Sequence, residues 1–170
     1  MRRIIVCLAA TLACAPAALA DGPPAKTAFE QLKALAGDWR AADETNPTAV
    51  QFKTIANGST LIETWTMAPT RQSMTVYTMD GDDLLATHYC PQGNAPRLRF
   101  THTDDDGAHH FLFLDGANLQ DASRSHAHIL WINDTGAGKL ERGETYIANG
   151  SDYTPGEHGV DRYTFVRVMP

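Results

Sequence analysis

The chain has 170 residues, of which 43% are hydrophobic and 20% are charged, and its formal net charge is -6. This balance excludes a wholly disordered chain, and the length favours one domain over two. The acidic excess argues against nucleic-acid and anionic-membrane partners, because both need clustered Lys and Arg. No signature of a well-known enzyme class stands out, so the sequence does not decide whether the protein is an enzyme and favours a binding role.

The first twenty residues have the features of a secretory signal peptide. Arg2 and Arg3 give the positive start, and the apolar run that follows them is too short to span a bilayer. Ala18-Leu19-Ala20 fits the small-x-small rule, so we predict cleavage before Asp21. The mature protein is then periplasmic or secreted in a bacterium, without membrane insertion. An uncleaved anchor and a lipoprotein modified at Cys14 are the alternatives.

Removal of residues 1–20 changes the composition. It leaves 12 basic residues against 20 acidic ones, a net charge of −8, and it leaves Cys90 as the only cysteine. No intramolecular disulfide is then possible, so about 150 residues must be stabilised by their core alone.

The mature chain opens with a short helical segment. Phe29, Leu32, Leu35 and Ala36 recur at helical spacing, and Gly37 ends the run. We therefore predict a lead-in and short helix over 21–36 and a single domain over 37–170.

From Trp39 onward the apolar residues alternate with polar ones at a period of two. Asn-Gly and Asp-Gly pairs separate most of the runs, as in tight hairpins. This order predicts an all-β fold, an up-and-down antiparallel barrel of about eight to ten strands with the helix capping one end, because closure removes exposed edges. The predicted strands span 39–42, 49–56, 60–67, 73–79, 84–90, 97–103, 110–114, 126–132, 139–147 and 160–168.

Two groups of residues resemble known proteins. Gly37-Asp38-Trp39, placed after a helix and before the strands, resembles the Gly-x-Trp signature of the lipocalin and calycin superfamily. In that superfamily the Trp packs across the closed barrel end against a late Arg, so the resemblance implies that Arg167 covers Trp39.

The second group lies in four short motifs, Thr87-His88-Tyr89-Cys90, Gly93-Asn94-Ala95-Pro96-Arg97, Asn118-Leu119 and His126-Ala127-His128. These resemble a family of exported bacterial proteins with a lipocalin-like barrel. Ala95 and Ala127 stand where that family more often has Gln and Met. The resemblance covers most of the mature chain and implies a fold and a site, but no settled activity.

The His and Cys pairs are the candidate chemistry. Residues two apart on a strand share a face, so His88 with Cys90, and His126 with His128, can each chelate one ion. If the two pairs face each other across a barrel, their N₃S donor set suits Zn²⁺. His109 and His110 are adjacent, so their rings point to opposite faces.

Periodicity places only some of these side chains. Leu98 and Phe100 predict an inward face of their strand, and His102 shares that face. For the strands 84–90 and 126–132 the pattern does not decide which face is inward, although it slightly favours an inward His88. Glu63, between Leu61 and Trp65, is either an inward carboxylate or an outward one beside an inward Ile62.

Three interpretations of these residues remain open: polar interior groups bonded to one another, lining for an organic ligand, or a metal site. Arg97 is either a partner for a ligand carboxylate or, more in keeping with surface pairs, part of a salt bridge. The candidate ligand-binding residues are His88, Cys90, Asn94, Arg97, Phe100, His102, Asn118, His126 and His128.

The leading functional hypothesis is a non-catalytic binder of a small, partly apolar molecule inside the barrel. The second is a metal-binding protein or small enzyme that uses His88, Cys90, His126 and His128, or Cys90 as an activated thiol. Nitrobindin-like barrels share the general shape and hold haem through a histidine, but their haem-ligand segment is not matched here. The sequence leaves the oligomeric state undetermined.

Overall fold

The computed structural model describes residues 24–169. Within that range the chain forms one α-helix, α1 (Pro24–Lys33), and ten strands. The strands are β1 (Gly37–Ala41), β2 (Ala49–Ile55), β3 (Thr60–Ala68), β4 (Arg71–Asp80), β5 (Asp83–Tyr89), β6 (Ala95–Thr103), β7 (His109–Ala117), β8 (Ser125–Gly136), β9 (Lys139–Ala148) and β10 (Val160–Arg167).

Each strand pairs antiparallel with its sequence neighbours, and β1 pairs with both β2 and β10, which closes the barrel. The predicted all-β, up-and-down barrel with a short N-terminal helix is therefore confirmed. The strand ends agree with the prediction to within four residues, because period-two alternation and turn glycines mark both ends of most strands.

The helix differs more from its prediction. It begins at Pro24, whose fixed φ suits a first helical turn, and ends at Lys33. Leu35 and Ala36, predicted to be helical, instead lie in a turn, where their amides donate to the carbonyls of Leu32 and Lys33.

The predicted signal peptide, residues 1–20, lies outside the described residues, and its cleavage stays a prediction. Among residues 24–169, no helix combines the length and the apolar character needed to cross a bilayer.

One barrel end is closed by α1 and Trp39. The indole Nε1 of Trp39 donates to the carbonyl of Leu35 at 2.9 Å. The guanidinium of Arg167 lies 4.3 Å from the centre of the Trp39 ring and donates to the carbonyls of Ala34 and Ala36. The predicted contact between Arg167 and Trp39 is thus present, and the Arg also satisfies carbonyls just beyond the helix.

Gly37 makes this contact possible. Its φ of +133° is unfavourable for residues with a side chain, and a Cβ at this position would lie 2.9 Å from Nη1 of Arg167.

The interior is layered along the barrel axis. Near α1 the inward side chains form an apolar core that includes Leu32, Phe52, Leu84, Phe111 and Leu140. Farther from α1 the inward positions of β3, β4, β5 and β9 carry polar and charged side chains. This change of chemistry places the candidate site at the end of the barrel opposite α1, which we call the open end.

Candidate functional site

A cavity of about 230 Å³ opens at the open end of the barrel. Its walls combine aromatic rings with polar and charged groups from five of the ten strands and from the turn after β5. Trp65 and Tyr163 meet edge to face, with ring centres 4.9 Å apart, and form one wall. The lining residues are Trp65, Met67, Arg71, Ser73, His88, Cys90, Pro91, Gln92, Glu144, Tyr146, Asp161 and Tyr163.

A buried charged layer forms the base of this cavity. Glu63 and Arg142 are both fully buried, and Arg142 Nε donates to Glu63 Oε1 at 3.2 Å. The carboxylate of Glu63 also accepts from Trp65 Nε1 and from Tyr77 OH, each at 2.5 Å. Because all three partners are donors, Glu63 is a hydrogen-bonded carboxylate that ties β3, β4 and β9 together. Of the two orientations predicted for Glu63, the inward one is therefore present.

Arg142 is shared between two carboxylates. Its Nη1 donates to the carbonyl of Gly143 at 2.8 Å, and its Nη2 lies 2.9 Å from Glu144 Oε1. Within the described residues Nη2 has no well-aligned hydrogen bond, so charge attraction dominates its contact with Glu144. Burial opposes the charge of Arg142, but Glu63 and Glu144 outweigh burial and raise its pKa above the ordinary value.

Glu144 connects this layer to the cavity. Its carboxylate is almost completely buried, and Oε2 accepts from Tyr146 OH at 3.0 Å. Burial favours the protonated form, but the charge of Arg142 and the hydrogen bond from Tyr146 favour the carboxylate, so the pKa of Glu144 lies below its ordinary value. A desolvated negative charge therefore lines the cavity, with lone pairs beyond those used by Arg142 and Tyr146.

His88 points into the barrel, as its sequence pattern slightly favours. It is 3% exposed; its Nδ1 lies 3.0 Å from Thr75 Oγ1, and its Nε2 lies 3.4 Å from Tyr146 OH. Burial lowers the pKa of His88 below its ordinary value, although Glu144 opposes this effect. Since Tyr146 gives its single proton to Glu144, a neutral His88 donates from Nε2 to Tyr146 and accepts from Thr75 at Nδ1.

Cys90 follows β5 directly and also lines the cavity. It is half-buried and forms no disulfide among the described residues. Burial raises the pKa of its thiol above the ordinary value. An activated thiolate needs a lowered pKa, so these surroundings do not favour a nucleophilic role.

The predicted inward position of His102 is wrong. A bulge at Thr101, where β6 gains one residue against β7, shifts the alternation after Phe100. His102 is therefore paired with His110 on the outer face, where the two rings stack with centres 4.7 Å apart. His109 lies on the opposite face and is buried, so the prediction that the rings of His109 and His110 diverge is confirmed.

A second bulge, at His128, separates the two predicted metal-binding pairs. Ala127 is the cross-strand partner of Tyr146, whose side chain points into the barrel, so His126 projects from the other face of β8. His126 Nδ1 lies 3.0 Å from Asn149 Oδ1, and its Nε2 lies 3.2 Å from His128 Nδ1. Both rings pack against Phe113, where β7 and β8 stop pairing.

The structure therefore does not bring His88, Cys90, His126 and His128 to one point. Among residues 24–169 no group of three or more His, Cys, Asp or Glu side chains could hold a metal ion, so the N₃S zinc site does not fit. Haem does not fit either, since the cavity holds about 230 Å³ and both ring nitrogens of His88 are in hydrogen-bonding contact.

The other four predicted residues lie away from the cavity wall. Asn94 is buried and donates to the carbonyl of Ser125 at 2.9 Å, and Asn118 donates to the carbonyl of Gly93 at 3.2 Å. These two bonds tie the turns of the open end together. Arg97 pairs with Asp115 on the outer face, the surface salt bridge that was the alternative to ligand binding. Phe100 is a core residue packed on Phe111.

Arg142, Glu144 and Tyr146 were not among the predicted site residues. The pattern that could have indicated them lies in β9, where Leu140, Arg142, Glu144 and Tyr146 share one face of the strand. Gly143 between them has no side chain and so gives no indication of which face is inward. An alternation that begins at an apolar inward residue carries the charged ones inward with it.

A second hollow, of about 390 Å³, lies between α1 and the turns near Gly107 and Gly136. It contains none of the predicted site residues. No family model matches the chain, and no curated protein is significantly similar to it.

Proposed function

We propose that this protein is an exported, lipocalin-like barrel that binds a small, partly apolar molecule in the open-end cavity. The convergence of polar groups and aromatic walls on one cavity carries the proposal: Glu144, Tyr146 and His88 meet beside Trp65 and Tyr163. Ligand sites in proteins combine apolar walls with a few oriented polar groups in this manner.

The size and order of the cavity limit the ligand. A volume of about 230 Å³ lies below the range of roughly 300–1,000 Å³ that is common for drug-sized ligands, so the ligand is small. His88, Glu144 and Tyr146 are held by Thr75, Arg142 and one another, which fixes their directions before a ligand arrives.

Blocking the cavity tests the proposal. Ser73 lies on the inward face next to Trp65, and Ser73→Phe places a ring in the cavity. The matched control is Gln72→Phe, which adds the same ring to the exposed outer face of the same strand. We expect ligand-detected NMR with single-ring compounds such as benzyl alcohol to show binding to the wild type and to Gln72→Phe, and loss of binding in Ser73→Phe. Equal binding by all three proteins would contradict the proposal.

Export forms part of the same proposal, supported by the arginine pair, the apolar run and the cleavage sequence of residues 1–20. Mass spectrometry of the periplasmic protein should give a chain that begins at Asp21. A lipid-modified chain that begins at Cys14 would indicate a lipoprotein, and a full-length chain would indicate an uncleaved anchor. Either result would contradict cleavage before Asp21.

A further inference from the structure

We propose that the ligand of the open-end cavity is a small organic cation, an amine on one ring or on a short apolar body, whose ammonium group contacts Glu144. This inference rests on the proposed binding function and adds the charge of the ligand to it.

The first support is the charge balance of the buried layer. Two carboxylates, Glu63 and Glu144, surround the single guanidinium of Arg142, and all three side chains are shielded from solvent. His88 is neutral because burial disfavours its charge, and burial likewise keeps Tyr77 and Tyr146 protonated. The layer therefore holds one uncompensated negative charge in a desolvated place, where electrostatic interactions are stronger than in water.

The second support is the position of that charge. The oxygens of Glu63 already accept three hydrogen bonds, and Glu63 does not line the cavity. Glu144 does line it, and each of its oxygens has one close partner, Arg142 or Tyr146. Since a carboxylate offers about four acceptor sites, Glu144 retains acceptor capacity toward the cavity.

The third support is the aromatic wall. Trp65, Tyr146 and Tyr163 line the cavity beside Glu144, and the faces of such rings attract cations. Arg142 lies 5.9 Å from the centre of the Trp65 ring, so this ring already takes part in one contact with a cation. Carboxylates outnumber cations at the lining as well, since Glu144 and Asp161 are accompanied by Arg71 alone.

Three compounds that differ in charge but share one ring test the inference: benzylamine, benzyl alcohol and benzoate. In calorimetric titrations of the wild type we expect benzylamine to bind about tenfold more tightly than benzyl alcohol, the effect of one charge-assisted hydrogen bond, and benzoate to bind most weakly. Benzyl alcohol or benzoate binding as tightly as benzylamine would overturn the cation inference and leave the binding function intact. Absence of binding by all three would overturn both.

Glu144→Gln separates the charge of this residue from its shape. We expect it to reduce the affinity for benzylamine to that for benzyl alcohol. Asp82→Asn is the matched control, because it removes the same charge from an exposed turn at the opposite barrel end and should keep the tenfold preference. A preference retained in a folded Glu144→Gln protein would contradict the assignment. If Glu144→Gln does not fold, Asp161→Asn should give a smaller loss of the same preference, and an unchanged preference there would count against the inference.

Discussion

At the closed end of the barrel the inward side chains include Trp39, Phe52 and Phe111, whereas at the open end they include His88, Glu144 and Tyr146. Both sets follow the same alternation on the same closed sheet. Burial of the first set supplies the hydrophobic stabilisation that a barrel without a disulfide needs. The second set desolvates charges and leaves a cavity, which adds little stability but creates a place for a ligand. Under the proposed function, the two ends divide stability and binding between them.

The charged layer at the boundary gives the largest expected effect. Arg142→Met leaves Glu63 and Glu144 buried without their cation, and we expect a loss of about 3–5 kcal/mol in the free energy of unfolding at neutral pH. The carboxylates should then take up protons more readily in the folded chain than in the unfolded one. The loss should therefore be smaller at about pH 5 than at about pH 8.

Urea denaturation at both pH values measures this effect. Arg162→Met is the control, because it removes an arginine that lies on the outer face over Trp131. Adding Glu144→Gln to Arg142→Met should restore part of the stability. An Arg142→Met protein as stable as the control would show that the layer does not hold the strands together.

The closed end gives the next effect. Trp39→Phe removes the hydrogen bond to the Leu35 carbonyl and part of a fully buried side chain, and it leaves a smaller ring beneath Arg167. We expect a loss of about 2 kcal/mol in the free energy of unfolding, with the affinity for benzylamine unchanged. A change in affinity without a change in stability would contradict the division between the two ends.

The pH dependence of the wild type gives a smaller effect. Burial lowers the pKa of His88 below its ordinary 6.5, so the unfolded chain binds more protons than the folded one once the pH falls below about 6.5. Stability should therefore decrease as the pH falls from that value toward the folded-state pKa of His88. Glu144, whose pKa lies below its ordinary 4.5, should add a further loss below about pH 4.5.

Thermal unfolding of His88→Gln between about pH 7 and pH 5 isolates the contribution of His88. The slope of stability against pH should be shallower than in the wild type, because the variant lacks one of the histidines whose charged form is disfavoured by burial. His102→Gln, at an exposed position, should leave the slope unchanged. A His88→Gln slope equal to that of the wild type would contradict the assigned neutral state.

The smallest effect concerns the outer face. Arg97→Gln breaks the exposed pair with Asp115 and should leave both the urea midpoint and ligand binding at the wild-type values. A loss of ligand binding in Arg97→Gln would indicate that Arg97 contributes to the site, and it would contradict the position of Arg97 on the outer face.

The fold was largely predictable because its rules are local. Alternation and turn glycines locate the ten strands, and Trp39 with Arg167 marks the closed end. The faces were less predictable, because one extra residue reverses the alternation. The bulges at Thr101 and His128 reverse the alternation in β6 and β8, and neither threonine nor histidine is a residue type that predicts a bulge.

The charged layer was harder to predict, for a different reason. Glu63 and Arg142 are 79 positions apart in the chain, and they meet only once the barrel is closed. Each of these strands has a pattern consistent with an inward charge. The pairing that makes such a charge acceptable depends on strands that are distant in sequence.

The three tryptophans sample the three environments that matter: Trp65 in the cavity wall, Trp39 at the closed end and Trp131 on the outer face. Titration with benzylamine, followed by the indole N–H resonances in ¹H–¹⁵N NMR spectra, therefore tests the central claim directly. Binding in the open-end cavity predicts a saturable shift of the Trp65 resonance, with Trp39 and Trp131 unchanged. A saturable shift of Trp39 or Trp131 alone, or no shift at all, would contradict the account.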